Sequence, residues 1–582
     1  MAQSTGTLTI PEAANRIPPT STSDLDAAVA TLRSNASVWV GRGIAERIAL
    51  LAELQETVLE AAPAWVDAAA VAKGIASDSP KMGEDWISGP TLTVRNIRLL
   101  RQTLEQIRDT GRPQPPAVRT AANGQVVIDV FPTDAFDKFA LFPLFTAEVR
   151  LDPSVGLEEA EGRMGRIYRP GGKDGGGVRL VLGAGNVSSI PAMDVLYTLF
   201  AEDRVCVLKM NPVNEHLGPH LAAALRPLIR DGLLRIVYGG AAEGAYLTEH
   251  DGIDEIHMTG SDKTFEAIVY GTGEGGARRK AGDDRKVTKP ISAELGNVSP
   301  VIVVPGPWSD KDLAFQGENI ASMLVHNAGF NCIAARMIVQ HQAWARRNDL
   351  LDAVRSSLAR AVPRDAYYPG ARDRWETFVE QHPEAERFGD DASGGVPWTL
   401  IPGLDPTRGD DVAFTTEAFC GVFGEVGLDA PRSVPDYLDA AVEFCNGELW
   451  GTLSASILVH PRSLDDPEVA AAVERAIDRL RYGSVVVNAW SAVTYAMVST
   501  PWGAAPGHEP TDIQSGIGVV HNTYLLEDVE KTVVRGPFRP PVKPQWFLTN
   551  RTAGKQGRKL SRLEGARDLT VLPSLTWDAL RG

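Results

Sequence analysis

Cysteine is scarce in this chain. Its 582 residues include 4 cysteines, Cys206, Cys332, Cys420 and Cys445, and no two of them form a CxxC pair. That spacing excludes a disulfide framework and a cysteine-built zinc site, and it points to a reducing, cytoplasmic home. Long hydrophobic runs are missing too: no stretch approaches the roughly 20 apolar residues that span a bilayer. The opening MAQSTGTLTIPEAANRIPPT lacks a charged segment followed by an apolar core, so no secretory signal is expected there. Positive charge is in deficit, with 58 Lys and Arg against 74 Asp and Glu and a net charge of −16. An acidic chain of this kind is not expected to bind nucleic acid or an anionic membrane as its main activity. His216 and His220 stand at helical spacing, but Gly218 and Pro219 lie between them and no third ligand offers itself, so no metal is assigned.

What is present is enough apolar residue, 43% of the chain, for a large core. Residues 1–22 are rich in Ser, Thr, Pro and Ala and read as a loose N-terminus. From Ser23 to about Gln106 apolar residues recur every three to four positions (Leu25, Ala28, Val29, Leu32, then Ile44, Ile48, Leu51, Leu54, Val58), which predicts helices. The TGRPQPP run at 110–116 ends them. Residues 117–170 look extended, with VVIDVF, AEVRL and GRIYRP as strand candidates. From Gly177 strands (VRLVL, RVCVLK, LLRIV, IDEIHMTG) alternate with helices, the pattern of a doubly wound parallel α/β sheet. GTGEGG at 271–276 reads as a surface loop, and HPEAERFGDDASGG at 382–395 as another. The Pro-rich and then basic tail from about Gly536 either packs on a partner or hangs loose.

One stretch holds a complete device for covalent chemistry. Cys332 follows Asn327, Gly329 and Asn331 and precedes an apolar run, which suggests a helix start whose dipole would favour thiolate. Glu294 closes ISAEL just before Gly296, as a strand-end carboxylate facing a cleft would. A thiol nucleophile with a carboxylate base points to acyl chemistry. Cys206 and Cys445, in apolar segments, read as core residues, and Cys420 as structural.

ELGN at 294–297 and NAGFNC at 327–332 resemble the Glu-Leu-Gly-Gly and Asn-x-Gly-Gln-x-Cys signatures of the NAD(P)-dependent aldehyde dehydrogenase superfamily. Asn297 and Phe330 depart from the pattern. The resemblance implies an α/β fold with a Rossmann-type cofactor domain (23–144 and 169–293), an oligomerisation hairpin (145–168), a catalytic domain (294–504) and a C-terminal return and oligomerisation tail (505–582). It implies oxidation of a small-molecule aldehyde to the acid with NAD or NADP, in a homodimer or homotetramer. Catalytic roles fall on Cys332, Glu294 and Asn186, the last in LGAGN as an oxyanion donor. Cofactor contacts fall on Lys209, on Gly260 and Ser261 in MTGS, and on Glu417 and Phe419 in TTEAFCGV. The acidic residue that NAD-preferring members often carry three positions after the lysine is Pro212 here, which leaves NAD against NADP open. Phe265 stands where the family often has a second Gly after MTGS, and Cys420 and Gly421 replace its Gly-Pro pair. Phe330, Trp490 and Trp502 are candidates for an apolar funnel. A coenzyme A-acylating enzyme is the alternative, against which Glu294 argues; a silent scaffold of the same fold is another, and a cysteine hydrolase is disfavoured because no His bears a motif relation to Cys332.

Overall fold

Strands that are apolar on both faces must be covered on both faces, and this chain builds two sheets of that kind. The computed structural model describes residues 5–140, 142–169, 171–172, 176–389 and 395–582. The first sheet runs Gly516–Ile517, Ile291–Leu295, Glu255–Gly260, Val178–Leu182, Val205–Lys209, Leu234–Val237 in space, and its five long strands are parallel. The segments VRLVL and VCVLK form neighbouring strands, the latter buried throughout. The N-terminal helices Thr22–Gly41 and Ile44–Ala72 pack their apolar stripes here, Leu25, Leu32, Trp39 and Leu51 joining Val207 and Leu234 in one core. Chain order reverses on either side of Val178–Leu182, so a crevice opens at the carboxyl ends of the strands, where doubly wound sheets bind ligands.

The second sheet has eleven strands. Its parallel centre includes Ala335–His341, Ser299–Val303, Ser454–Leu458 and Ser484–Val487. Val529–Arg535 adds to Ser484–Val487 in parallel and to Thr146–Leu151 antiparallel, and the sheet continues through Val126–Phe131 to Ala117–Thr120.

Several local expectations are corrected. Residues 145–168 are not a hairpin: they hold the strand Thr146–Leu151, the helix Leu157–Arg163 and a 3-10 turn at Arg166–Tyr168, and the hairpin partner is the earlier strand Val126–Phe131. Glu158 and Glu159 in the first helical turn suit the helix dipole, and GRIYRP turns at Gly165, whose φ is +63°, so it is no strand. The 271–276 stretch is the start of a helix, Gly273–Ala281, with Glu274 in its first turn and Arg278, Arg279 and Lys280 in its last. The 382–395 loop contains a short edge strand, Glu386–Phe388; its residues 390–394 lie outside the described residues, as do residues 1–4 of the N-terminus. The rest of the N-terminus is tied down: Gly6–Thr7 pairs in parallel with Thr416–Glu417, and the N–H groups of Arg16 and Ile17 donate to the Glu215 carboxylate.

The tail packs on its own chain. Helix Ala553–Ala566 lies against Met82–Trp86 and Leu92–Thr110, so close that a Cβ on Gly83 would sit 2.5 Å from the Ala553 carbonyl carbon. It brings Glu564 to Arg95 (2.9 Å) and Arg98 (2.8 Å), which also pair with Asp137. All four side chains are buried.

Candidate active site

The carboxyl end of Ile291–Leu295 carries Glu294 into a cavity of about 1630 Å³ in the crevice. Cys332, Asn186, Lys209, Gly260, Ser261, Glu417 and Phe419 line the same cavity. All eight residues picked out from the sequence, spread over more than 230 positions, therefore meet in one place.

The nucleophile does not start a helix. Cys332 sits in a turn that runs straight into the strand Ala335–His341, since a run of β-branched and apolar residues there is absorbed by the second sheet. Burial, with the nearby Glu294 and Glu417 charges, instead pushes its thiol well above the ordinary value. The turn before it is left-handed at three successive residues, Asn327 (φ +53°), Ala328 (φ +55°) and Gly329 (φ +82°), a conformation Ala adopts only under constraint.

The constraint comes from residues that the sequence did not flag. The Asn327 N–H donates to Glu84 Oε2 (3.2 Å), itself paired with Arg364 (2.6 Å). Asn327 Nδ2 donates to the backbone oxygens of Asn186 (3.0 Å) and Phe330 (3.2 Å), and the Tyr367 hydroxyl donates to Asn186 O (3.1 Å). Buried Arg336 donates to Gly329 O (2.7 Å) and to Cys420 O, and buried Arg374 donates to the carbonyls of Ala418 (3.2 Å) and Phe419 (3.1 Å). Arg336 thus fastens the Cys332 loop to the Glu417 loop, and Arg374 ties the Glu417 loop to its own helix, Ala371–Gln381. Asn186 Nδ2 donates to Phe330 O (3.0 Å), which holds that amide beside the turn and leaves its second N–H free by count.

Burial pushes Glu294 up to about 8, with Asp194 adding to the effect, and its Oε1 has no hydrogen-bond partner among the described residues. Glu417 is likewise pushed up to about 8 by burial, which Arg336 partly offsets. Its Oε1 is also unpartnered among the described residues. A Cβ on Gly296 would lie 2.1 Å from the Glu417 carboxylate, so a side chain there would displace that acid. Ser261 caps the helix Asp262–Val269, its hydroxyl accepting from the Thr264 N–H (3.1 Å). Lys209 ends its strand nearly buried, and burial lowers its pKa against the pull of Glu12, Glu243 and Glu215.

The departures have structural reasons. Asn297 donates to Ser454 O (3.0 Å) and accepts from the Ser299 hydroxyl (2.7 Å), a buried amide tying two strands. Phe330 is fully buried against Tyr367, Tyr368 and Phe419, and Phe265 fills the core between Met258 and Val269. Phe330, Trp490 and Trp502 pack in the interior and do not line the cavity; the Trp490 indole donates to Ile333 O (2.7 Å) behind the nucleophile. Missed by the sequence reading were Gly271, Gly273 and Gly276 and an N-terminal strap, Thr7 to Ala13, all of which but Leu8 line the cavity. Among the described residues no group of three or more His, Cys, Asp or Glu could hold a metal, and no helix is long and apolar enough to cross a membrane.

Known proteins resemble this chain in sequence and in fold. Residues 181–365 match the aldehyde dehydrogenase family. The chain is 27% identical to 2-hydroxymuconic semialdehyde dehydrogenase of Pseudomonas sp. (strain CF600) over 333 residues, 53% of this chain and 59% of that protein. It is 30% identical to an aldehyde dehydrogenase of Enchytraeus buchholzi over 143 residues, 24% of this chain and 25% of that one. These matches thus span less than two thirds of either relative. The fold superposes on NADP-dependent glyceraldehyde-3-phosphate dehydrogenase from Bacillus halodurans C-125, solved with NADP, with a TM-score of 0.59 at 17% identity over 89% of this chain and 92% of that one. It also superposes on a Mycobacterium tuberculosis aldehyde dehydrogenase solved with NAD+, at a TM-score of 0.57 and 17% identity over 90% and 92% of the two chains.

Proposed function

From the premise that the chain belongs to the aldehyde dehydrogenase superfamily, we propose that it oxidises an aldehyde to the carboxylic acid with NAD+ or NADP+. The observation that carries this reading is the meeting of Cys332, Glu294 and Asn186 in a large cavity that also holds Lys209, Ser261 and Glu417.

The residues fit a dinucleotide. Lys209 is a nearly buried cation, Ser261 opens a helix whose N-terminus suits a pyrophosphate, and the orphaned Glu417 carboxylate is a ready acceptor for ribose hydroxyls. Bound there, the nicotinamide would supply the acceptor for the hydride that the aldehyde carbon gives up.

The chain's own groups do the rest. The Cys332 sulfur attacks the carbonyl carbon, and Glu294 takes the thiol proton as the C–S bond forms. The oxygen becomes negative, and Asn186 Nδ2 and the Cys332 backbone N–H donate to it; removing one such donor typically costs about 3 kcal/mol of transition-state stabilisation. Glu294 then returns its proton to solvent, an exchange that a value near 8 makes easy close to neutral pH. Once oxidation leaves a thioester on Cys332, Glu294 takes a proton from water, the hydroxide oxygen bonds the acyl carbon, the C–S bond breaks and the acid departs. Retention of a buried carboxylate base favours water over coenzyme A as the acyl acceptor.

The test is absorbance of reduced nicotinamide with an aliphatic and aromatic aldehyde panel, NAD+ and NADP+ separately, beside Cys332→Ala. Turnover is expected from the wild type and a loss of about 10⁴-fold or more in the variant, as for other removed nucleophiles. Acid, unchanged in yield by added coenzyme A, is the expected product. Wild-type protein that reduces neither cofactor with any aldehyde would contradict the reading.

A further inference from the structure

The N-terminal strap lines the cavity and is fixed at both of its ends. At one end the Thr7 N–H donates to Asp262 Oδ1 (3.0 Å), while Gly6–Thr7 forms a parallel pair with Thr416–Glu417. At the other the Ile17 N–H donates to the Glu215 carboxylate (2.8 Å). Midway between them, Glu12 is pinned by its own carboxylate: Oε1 accepts from the Ala241 N–H (2.6 Å), the first residue of the helix Ala241–Glu249. Lys209, at the end of its strand, packs against the same helix one turn further along, its Cε 3.9 Å from where a Cβ on Gly244 would be. Both side chains line the cavity. Among the described residues the Lys209 ammonium makes no hydrogen bond or ion pair, whereas the other cations on the wall are engaged: Lys263 with Asp262, Lys280 with Glu266 and Lys286 with Glu249.

We propose that Glu12, carried in by the strap, is the residue that selects NAD(H) over NADP(H), supplying from the N-terminus the acid that Pro212 does not provide beside Lys209. The inference rests on the dehydrogenase reading above. The chemistry is that of a ribose diol between a cation and a carboxylate: Lys209 donates to one hydroxyl, and Glu12 accepts from the 2′-hydroxyl. A 2′-phosphate in that place meets a like charge. It also finds the Ala241 N–H, the donor that a helix start would offer an anion, already taken by Glu12.

Glu12→Gln tests this without disturbing the strap, because the amide oxygen still accepts from Ala241. Equilibrium binding of NADH and of NADPH, followed by nicotinamide fluorescence, is measured on wild-type and variant protein at low salt and at 0.5 M NaCl. The wild type is expected to bind NADH at least about tenfold tighter than NADPH at low salt. The variant's preference is expected to shrink on the order of tenfold, chiefly through tighter NADPH binding, because one like-charge contact is removed. Raising salt is expected to narrow the wild-type preference and leave the variant's nearly unchanged. A wild type that binds NADPH as tightly as NADH, or a ratio that Glu12→Gln does not move, overturns the assignment while leaving the dehydrogenase reading intact. Failure of wild type and variant alike to bind either dinucleotide overturns both.

Discussion

Glu294→Gln is expected to release close to one equivalent of reduced nicotinamide per site and then stall, with steady-state turnover down by 10²- to 10⁴-fold, the usual contribution of a positioned base. Gln fills the same buried space and accepts hydrogen bonds, so the cavity keeps its shape. What it cannot do is take a proton from water, and the thioester on Cys332 persists. The first turnover is slowed less, since solvent can carry away the thiol proton before attack. A pH profile sharpens the prediction. Burial places the Glu294 carboxyl at about 8, so its basic form is the minority below that value. Wild-type turnover rises as pH climbs through about 8, and the limb belonging to Glu294 disappears in the variant. Stopped-flow absorbance reads the burst and the steady state in one trace; equal slowing of both phases would mean that thioester hydrolysis depends on Glu294 no more than the first attack does.

The second large effect concerns stability. Glu564→Ala is expected to cost about 3–5 kcal/mol, because it strips a buried partner from Arg95 and Arg98 and leaves two guanidiniums in the interior facing one carboxylate, Asp137. The helix Ala553–Ala566 carries Glu564 and packs by glycine-close contact, so losing the ionic clasp loosens the whole tail. Glu564→Gln, which keeps an acceptor but not the charge, is expected to fall between wild type and Glu564→Ala. Denaturant unfolding measures the cost, and limited proteolysis locates it: cleavage between about 536 and 582 should appear first in the variant. Burial alone would raise the Asp137 carboxyl, but Arg95 and Arg98 hold it below its ordinary value. Its contribution is therefore present above the ordinary carboxylate range and is lost only as pH falls through the depressed value. A midpoint unchanged by Glu564→Ala would show that the cluster merely breaks even.

Much of the site was legible because its chemistry is local. Glu294 is marked by the strand and glycine around it, Asn186 by the turn after VRLVLGAG, and Cys332 by its polar run, and all three line one cavity, Cys332 from a turn and not from the helix start its context suggested. The scaffold behind them was not legible. Glu84, Tyr367 and Arg336 hold the nucleophile turn and its neighbour Asn186 chiefly through backbone groups, as Arg374 holds the Glu417 loop, and any residue offers an N–H or a carbonyl, so no side-chain pattern near Cys332 announces them. The helix expected after Cys332 failed for a related reason: an apolar run of that length suits a strand as well as a helix, and the neighbouring strands at Ser299–Val303 and Val422–Leu428 decide the matter. The strap escaped notice because its composition is that of a loose terminus. Its order comes from pairing with Thr416–Glu417 and from Asp262 and Glu215, all more than 190 residues away in sequence. Packing also reversed the pKa argument, since burial beside two acids outweighs any local favour a turn could give the Cys332 thiolate.

The central claim, covalent catalysis at Cys332 with Glu294 needed to finish it, is met most directly by intact-protein mass spectrometry of Glu294→Gln after exposure to an aldehyde and oxidised cofactor. The predicted result is one acyl group per chain, mapped to the peptide that contains Cys332 and absent when Cys332→Ala is added. An unmodified mass in a variant that still reduces cofactor, or an adduct on another cysteine, would contradict it.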